Sequence, residues 1–136
     1  MDLDLTLTPY YNASPIVLIH EFRNTAACIT LSSVGRFILW SIKSKKQLET
    51  LAIIGGITCA SVNKQGNVLA TGHTNGVVRF YSIAKQGEIF LFKEFRMVKN
   101  GQVDKMAFSS NGEELAVLSK TENRVYYLLT SLSMEF

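Results

Sequence analysis

Sliding this chain along itself by 41 residues lays Gly35-Arg36-Phe37-Ile38-Leu39-Trp40-Ser41-Ile42 on Gly76-Val77-Val78-Arg79-Phe80-Tyr81-Ser82-Ile83. The glycine, the aromatic, the serine and the final isoleucine coincide, and Ile16 falls on Ile57 without a gap. A shift of 46 then takes Ile57 to Val103, Gly66 to Gly112 and Leu69-Ala70 to Leu115-Ala116. One inserted residue more carries Gly76 to Asn123 and Phe80 to Tyr127. A period in the low forties means a stacked array of similar small units, each too small to bury its own apolar face.

The units are made of strands. Between Ala70 and Ile83 the chain reads as a hairpin, with Asn75-Gly76 at the tip of a two-residue turn that needs positive φ. Asn123 stands at the matching place in the third copy, and asparagine tolerates the left-handed region best after glycine. Alternation and turn residues predict strands over 16–22, 26–31, 36–42 and 47–52 in the first copy. They predict 57–62, 68–72, 77–83 and 88–93 in the second, and 103–109, 114–119, 124–129 and 131–136 in the third. Four strands per repeat at this period predict propeller blades. The expected fold class is all-β: a partial propeller of about three four-stranded antiparallel blades plus an N-terminal latch-like strand. The expected divisions are an extension over 1–15 and blades over 16–56, 57–102 and 103–136.

These residues carry a family resemblance. The stretches 60–72 and 106–117 resemble the inner two strands of WD-repeat blades, and Leu39-Trp40-Ser41-Ile42 and Phe80-Tyr81-Ser82-Ile83 resemble the strand that ends in Trp-Asp. The resemblance spans Ile16 to about Leu129. Two features depart from it: Ser41 and Ser82 take the Asp place, and Gly55-Gly56 and Asn100-Gly101 replace the expected Gly-His pair. The family's hydrogen-bonded Asp–His–Ser–Trp network is therefore not expected in any of the three repeats. The resemblance implies a non-enzymatic scaffold that binds proteins, within a larger assembly.

Three blades do not close a ring, so an apolar face and strand edges need covering. Asp2-Leu3-Asp4-Leu5-Thr6-Leu7-Thr8 alternates as a half-buried strand and fits the outer strand of a neighbouring blade. The favoured expectation is that the chain is one portion of a larger propeller in a longer protein; the alternatives are a second chain, identical or different, that supplies the missing blades, and an open fragment clamped in a larger assembly.

Composition removes several function classes. The net charge of +3 over 136 residues is too mild to imply nucleic acid or membrane by itself. No apolar run is long enough for a transmembrane helix, and the acidic N-terminus does not read as an export signal, so an intracellular, cytoplasmic protein is expected. Cys28 and Cys59 lie in alternating apolar runs without ligand spacing, and read as buried free thiols. No cofactor or metal is expected: the glycines sit in β-turns, and no carboxylate stands at triad or ligand spacing to His20 or His73. His20, inside a strand, reads as structural; His73, at a hairpin tip, reads as exposed.

Strand order sorts the loops onto two rims. One rim gathers Arg23, Lys43, Lys45, Lys46, Lys64 and Lys85, and is the candidate contact for a partner with an acidic surface. Lysines in turns also keep strand edges solvated without any partner. The opposite rim is small and polar, and its candidate contacts are Ser33, His73, Thr74, Asn75, Thr121 and Glu122. Two rival functions use the basic rim: an RNA or ribonucleoprotein module, and a cytoskeletal or ciliary scaffold meeting acidic microtubule tails. Aromatics do not interleave with the lysines, which disfavours a single-strand stacking platform. Trp40, Tyr81 and Tyr126-Tyr127 recur at the blade period and read as packing between sheets, whereas Tyr10-Tyr11 and the aromatics of 90–95 become contact patches if exposed.

Overall fold

The turns place the strands. In a computed structural model, which describes residues 15–22, 27–84 and 88–129, positive φ falls at Gly35 (93°), Gly76 (85°) and Asn123 (52°). These are the three positions that the repeat aligns. Gly76 has no room for a side chain: a Cβ there would lie 2.0 Å from the Val98 carbonyl oxygen. The expected two-residue turn is corrected to a three-residue one. The amide of Gly76 donates to the carbonyl of His73 at 3.1 Å, and positive φ falls on Gly76 and not on Asn75. That is the loop in which a left-handed residue closes a turn and re-enters the strand through a bulge. Gly66 and Gly112, at the other ends of their sheets, share a φ of 75° and donate to Asn63 and Ser109.

The chain divides into two units, Met1–Gly55 and Gly56–Phe136. In the first, β1 (Ile16–Glu21), β2 (Ala27–Ser32), β3 (Arg36–Ser41) and β4 (Lys46–Ala52) form one antiparallel sheet in sequence order. Cys28, Ile38 and Trp40 are buried together on one face, with Ile42 against them. Alternation explains this set, because residues two apart on a strand share a face.

The second unit holds two sheets. The first contains β5 (Ile57–Val62), β6 (Val68–His73), β7 (Val77–Ile83) and β8 (Ile89–Arg96), again in order and antiparallel. β9 (Lys105–Phe108), β10 (Glu114–Ser119) and β11 (Arg124–Leu129) form the second. Val68, Ala70, Val78 and Phe80 pack with Val98, Val103, Leu115 and Val117 in the core between these sheets. The phenyl ring of Phe80 meets Phe95 edge-on at 6.2 Å and Phe92 at 6.3 Å. The inner strands are also stitched together by polar groups: the Thr58 hydroxyl donates to the Val103 carbonyl, and the Phe108 amide to the Ser61 hydroxyl at 3.4 Å.

The irregularities repeat along with the strands. The β3–β4 and β7–β8 ladders slip at Leu39/Trp40 and Phe80/Tyr81, and the β1–β2 and β5–β6 ladders at Ile16/Leu18 and Ile57/Cys59, each pair 41 residues apart. Coincident bulges show that the copies share backbone geometry as well as sequence. β8 runs three residues beyond its expected end, to Arg96, which faces Val77 across the ladder. Tyr127 is a correction of another kind. It is 73% exposed, although its counterpart Phe80 is fully buried. The N-terminal alternating strand and the expected strand over 131–136 lie outside the described residues. Among those residues no helix forms, and none is long and apolar enough to cross a membrane.

Candidate functional site

One end of the second unit gathers three connections. The carbonyl of Gly76 accepts the amides of Met97 (3.0 Å) and Val98 (3.1 Å), and the carbonyl of His73 accepts that of Val103 (3.1 Å). The β6–β7 turn is thereby tied to the β8–β9 loop. Gly101 of that loop touches the β10–β11 turn, since a Cβ on it would lie 2.8 Å from the Cβ of Thr121. Thr74, Asn75 and Thr121 project from this end exposed, and Glu122 is half-buried. The backbone beneath is fixed and the side chains above are open. That combination suits recognition, because little ordering entropy remains to be lost on binding.

Charge is held in place at the same end. The Asp104 carboxylate accepts the Lys120 amide at 2.6 Å and the Gln102 side-chain amide at 3.0 Å. Those two donors hold its carboxyl below the usual carboxylate range. Glu122 accepts the Tyr126 hydroxyl, which pushes the phenol upward, and the Arg124 guanidinium lies 5.8 Å from the Tyr126 ring centroid. The Arg96 guanidinium donates to the Asn75 carbonyl at 2.9 Å. Sequence reasoning missed Asp104 and Arg96. The signal for Arg96 was its register, which becomes visible only once β8 is known to reach the turn.

His73 is not at the surface. It is 1% exposed, and its Nε2 sits 2.8 Å from the Thr71 hydroxyl. Its place as the last residue of β6, before the turn proper, takes the ring inward; Ser32 and Ser119 occupy the same place in the other repeats and are also buried. Its side chain is thus removed from the candidate contacts of that rim. Ser33 belongs to the first unit, half-buried, with its amide on the Pro15 carbonyl at 2.9 Å.

The basic candidates divide between the two units. Lys43, Lys45 and Lys46 are exposed on the β3–β4 turn, where Lys45 takes a φ of 59°. Lys64 is exposed on the β5–β6 turn of the other unit, beside the β9–β10 turn through Gln65 and Gly112. Arg23 and Lys85 lie outside the described residues. Of the aromatics over 90–95, Phe90 is 56% exposed on β8, whereas Phe92 and Phe95 turn into the core. His20 is half-buried and edge-on to Phe22 at 5.2 Å, and burial lowers its pKa. Among the described residues no group of His, Cys, Asp or Glu is placed to hold a metal ion.

The chain has solved structural counterparts. The chain superposes on the C-terminal WD40 domain of Sif2 with a TM-score of 0.71 at 18% identity, covering 88% of this chain and 35% of that one. It superposes on the β-propeller domain of Cps50 (Swd1) from Myceliophteria thermophila with a TM-score of 0.72 at 15% identity, covering 88% and 41%. The fold is that of WD40 β-propeller blades. A chain in the Mitotic Checkpoint Complex matches with a TM-score of 0.71 at 9% identity, covering 84% of this chain and 36% of that one. In sequence, WD repeat-containing protein 91 of Danio rerio is 30% identical over 78 residues, which is 55% of this chain and 10% of the relative. No family model matches. The WD-repeat resemblance therefore stands on sequence and fold together, while the chain spans about a tenth of the curated relative's length.

One part of the WD-repeat network does form, against expectation. In the first unit the Trp40 indole donates to the Thr30 hydroxyl. In the second, Thr71 (the counterpart of Thr30) takes His73 instead, and Tyr81 stands in the place of Trp40.

Proposed function

We propose that this chain is a non-enzymatic protein-interaction scaffold that binds a protein partner through the loop end of its second unit. The observation that carries this reading is the tying of the β6–β7, β8–β9 and β10–β11 connections, with Thr74, Asn75 and Thr121 left exposed above them. The WD40 fold and a structural neighbour drawn from a multiprotein complex support it. Specificity lies in those side chains, because the backbone below them is set by the repeat.

The test is affinity capture of the whole chain with quantitative mass spectrometry, comparing wild type with Thr74→Arg/Thr121→Arg. Both residues are exposed, and because Thr121 also packs on Gly101, an unchanged melting temperature of the variant is the control that the fold is kept. Selective loss of a partner supports the reading; unchanged recovery of every partner overturns it. A second reading rests on the three exposed lysines of the β3–β4 turn, which suit an acidic protein surface. If Lys43→Glu/Lys45→Glu/Lys46→Glu loses the partner while the threonine variant keeps it, the basic turn is the contact.

A further inference from the structure

Three Asn-Gly pairs stand in the described loops of the second unit: Asn75-Gly76, Asn100-Gly101 and Asn111-Gly112. Asparagine is a thermally labile side chain, and a following glycine offers least steric resistance to attack by its own backbone nitrogen. All three asparagines are exposed, so exposure does not rank them. Hydrogen bonding does. At the β6–β7 turn the Gly76 amide donates to the His73 carbonyl at 3.1 Å, and the Asn75 side-chain oxygen accepts the Val77 amide at 3.1 Å. The Arg96 guanidinium also donates to the Asn75 carbonyl. At the β9–β10 turn the Gly112 amide donates to the Ser109 carbonyl at 2.9 Å. There the Asn111 side-chain oxygen accepts the Ser109 hydroxyl at 2.6 Å and the Glu113 amide at 2.9 Å, and its nitrogen donates to the Glu113 carboxylate at 3.4 Å. The β8–β9 loop differs. Among the described residues, neither the Asn100 side chain nor the Gly101 amide makes a hydrogen bond.

We infer that Asn100 is a site of spontaneous covalent modification, deamidation through a succinimide formed with Gly101. The Gly101 nitrogen gives its proton to water or hydroxide and attacks the carboxamide carbon of Asn100. A new C–N bond closes the ring, the bond to the side-chain nitrogen breaks, and ammonia leaves. One water molecule then opens the ring at either carbonyl and gives aspartate or isoaspartate, with no oxidation or reduction. At Asn75 and Asn111 the same attack must first break the bonds that hold both reacting groups, so it waits on local opening. At Asn100 no such bond is lost. The product places a carboxylate beside Lys99, between the Val98 and Val103 amides that tie this loop to the β6–β7 turn. The isoaspartyl form also lengthens the loop backbone by a methylene. Neither an enzyme nor a bound partner takes part, so the reaction proceeds whether or not this end of the unit binds a protein.

The test incubates the whole chain at mildly alkaline pH, folded and in denaturant, and follows each Asn-Gly peptide by mass spectrometry as carboxamide becomes carboxylate. In the folded chain Asn100 converts at least about tenfold faster than Asn75 and Asn111. In denaturant the three rates draw together, because the bonds that protect two of the sites are gone. Equal rates at the three sites of the folded chain overturn the inference, as does faster conversion of Asn75 or Asn111. So does a lead of Asn100 that persists undiminished in denaturant, since the neighbouring sequence and not the folded loop then sets the rate.

Discussion

The indole N–H of Trp40 donates to the hydroxyl of Thr30 at 2.9 Å, across adjacent strands of one sheet and out of contact with water. This hydrogen bond is one part of the WD-repeat network, formed within the first unit. Its energetics are asymmetric: removing one partner strands the other, whereas removing both leaves an apolar contact. Thr30→Val is expected to cost about 1–3 kcal/mol, and Trp40→Phe a similar amount. The double variant should cost clearly less than the sum, by about 1 kcal/mol of coupling. Denaturant unfolding followed by circular dichroism measures all four corners. Strict additivity would show that the bond contributes nothing beyond packing.

The turn glycines give a second contrast. At Gly76 the backbone is left-handed and a Cβ would collide with the Val98 carbonyl, so Gly76→Ala should cost at least about 2 kcal/mol. Asn123 holds the matching place at a φ of 52° with a side chain already present. Asn123→Gly should therefore stay within about 0.5 kcal/mol of wild type, and Asn123→Ala should cost about 1 kcal/mol. Melting curves of the three variants check the ranking. A tolerant Gly76 would mean that the turn can relax into another type.

Those turns also show why the fold was legible and the site was not. Gly35, Gly76 and Asn123 are fixed by backbone need, and such needs recur with the repeat, so they can be read by sliding the sequence along itself. The inward turn of His73 depends on one residue of strand length, beyond the resolution of alternation patterns. The exposure of Tyr127 depends on which sheet has a neighbour, a fact no residue carries. Asp104 becomes a cap only because Lys120, on another loop, presents its amide to it. Local chemistry announces turns and strands, and adjacency between distant loops does not.

Asp104 makes stability depend on pH at the acid end. Its folded carboxyl ionises at lower pH than in the unfolded chain, because the Lys120 amide and the Gln102 side chain donate to the ionised form. Its contribution is full above the unfolded value of about 3.9 and disappears as pH falls through the folded one. Solvent limits it to less than about 1 kcal/mol. Asp104→Asn should therefore flatten the stability profile below about pH 4 and change little at pH 7 beyond a constant offset. His20 acts in a separate window: burial lowers its pKa, so protonation in the unfolded chain erodes stability as pH falls through about 6.5. A mutant profile parallel to wild type from pH 2 to 5 would remove Asp104 from the account.

The two cysteines complete the set, because their surroundings predict their reactivity. Burial pushes the Cys28 thiol up, with Glu21 adding to the effect, and Cys28 is fully inaccessible. Cys59 is half-buried against Gly72 and the Val103 carbonyl; burial pushes it up too, with the Thr58 side chain and the Gly72 backbone acting the other way. Thiolate is the reacting species, so both should label with a disulfide reagent at least about tenfold more slowly than a free thiol at pH 8. Cys28 should react only as fast as its unit unfolds, and Cys59 somewhat sooner, through local opening. Gly72→Ala pushes a methyl group into Val103 and Cys59, at 2.5 and 2.8 Å, and so sharpens the comparison. That variant should lose about 1–3 kcal/mol through overpacking and speed the labelling of Cys59 without altering that of Cys28. Equal acceleration at both sites would show that the two units unfold as one.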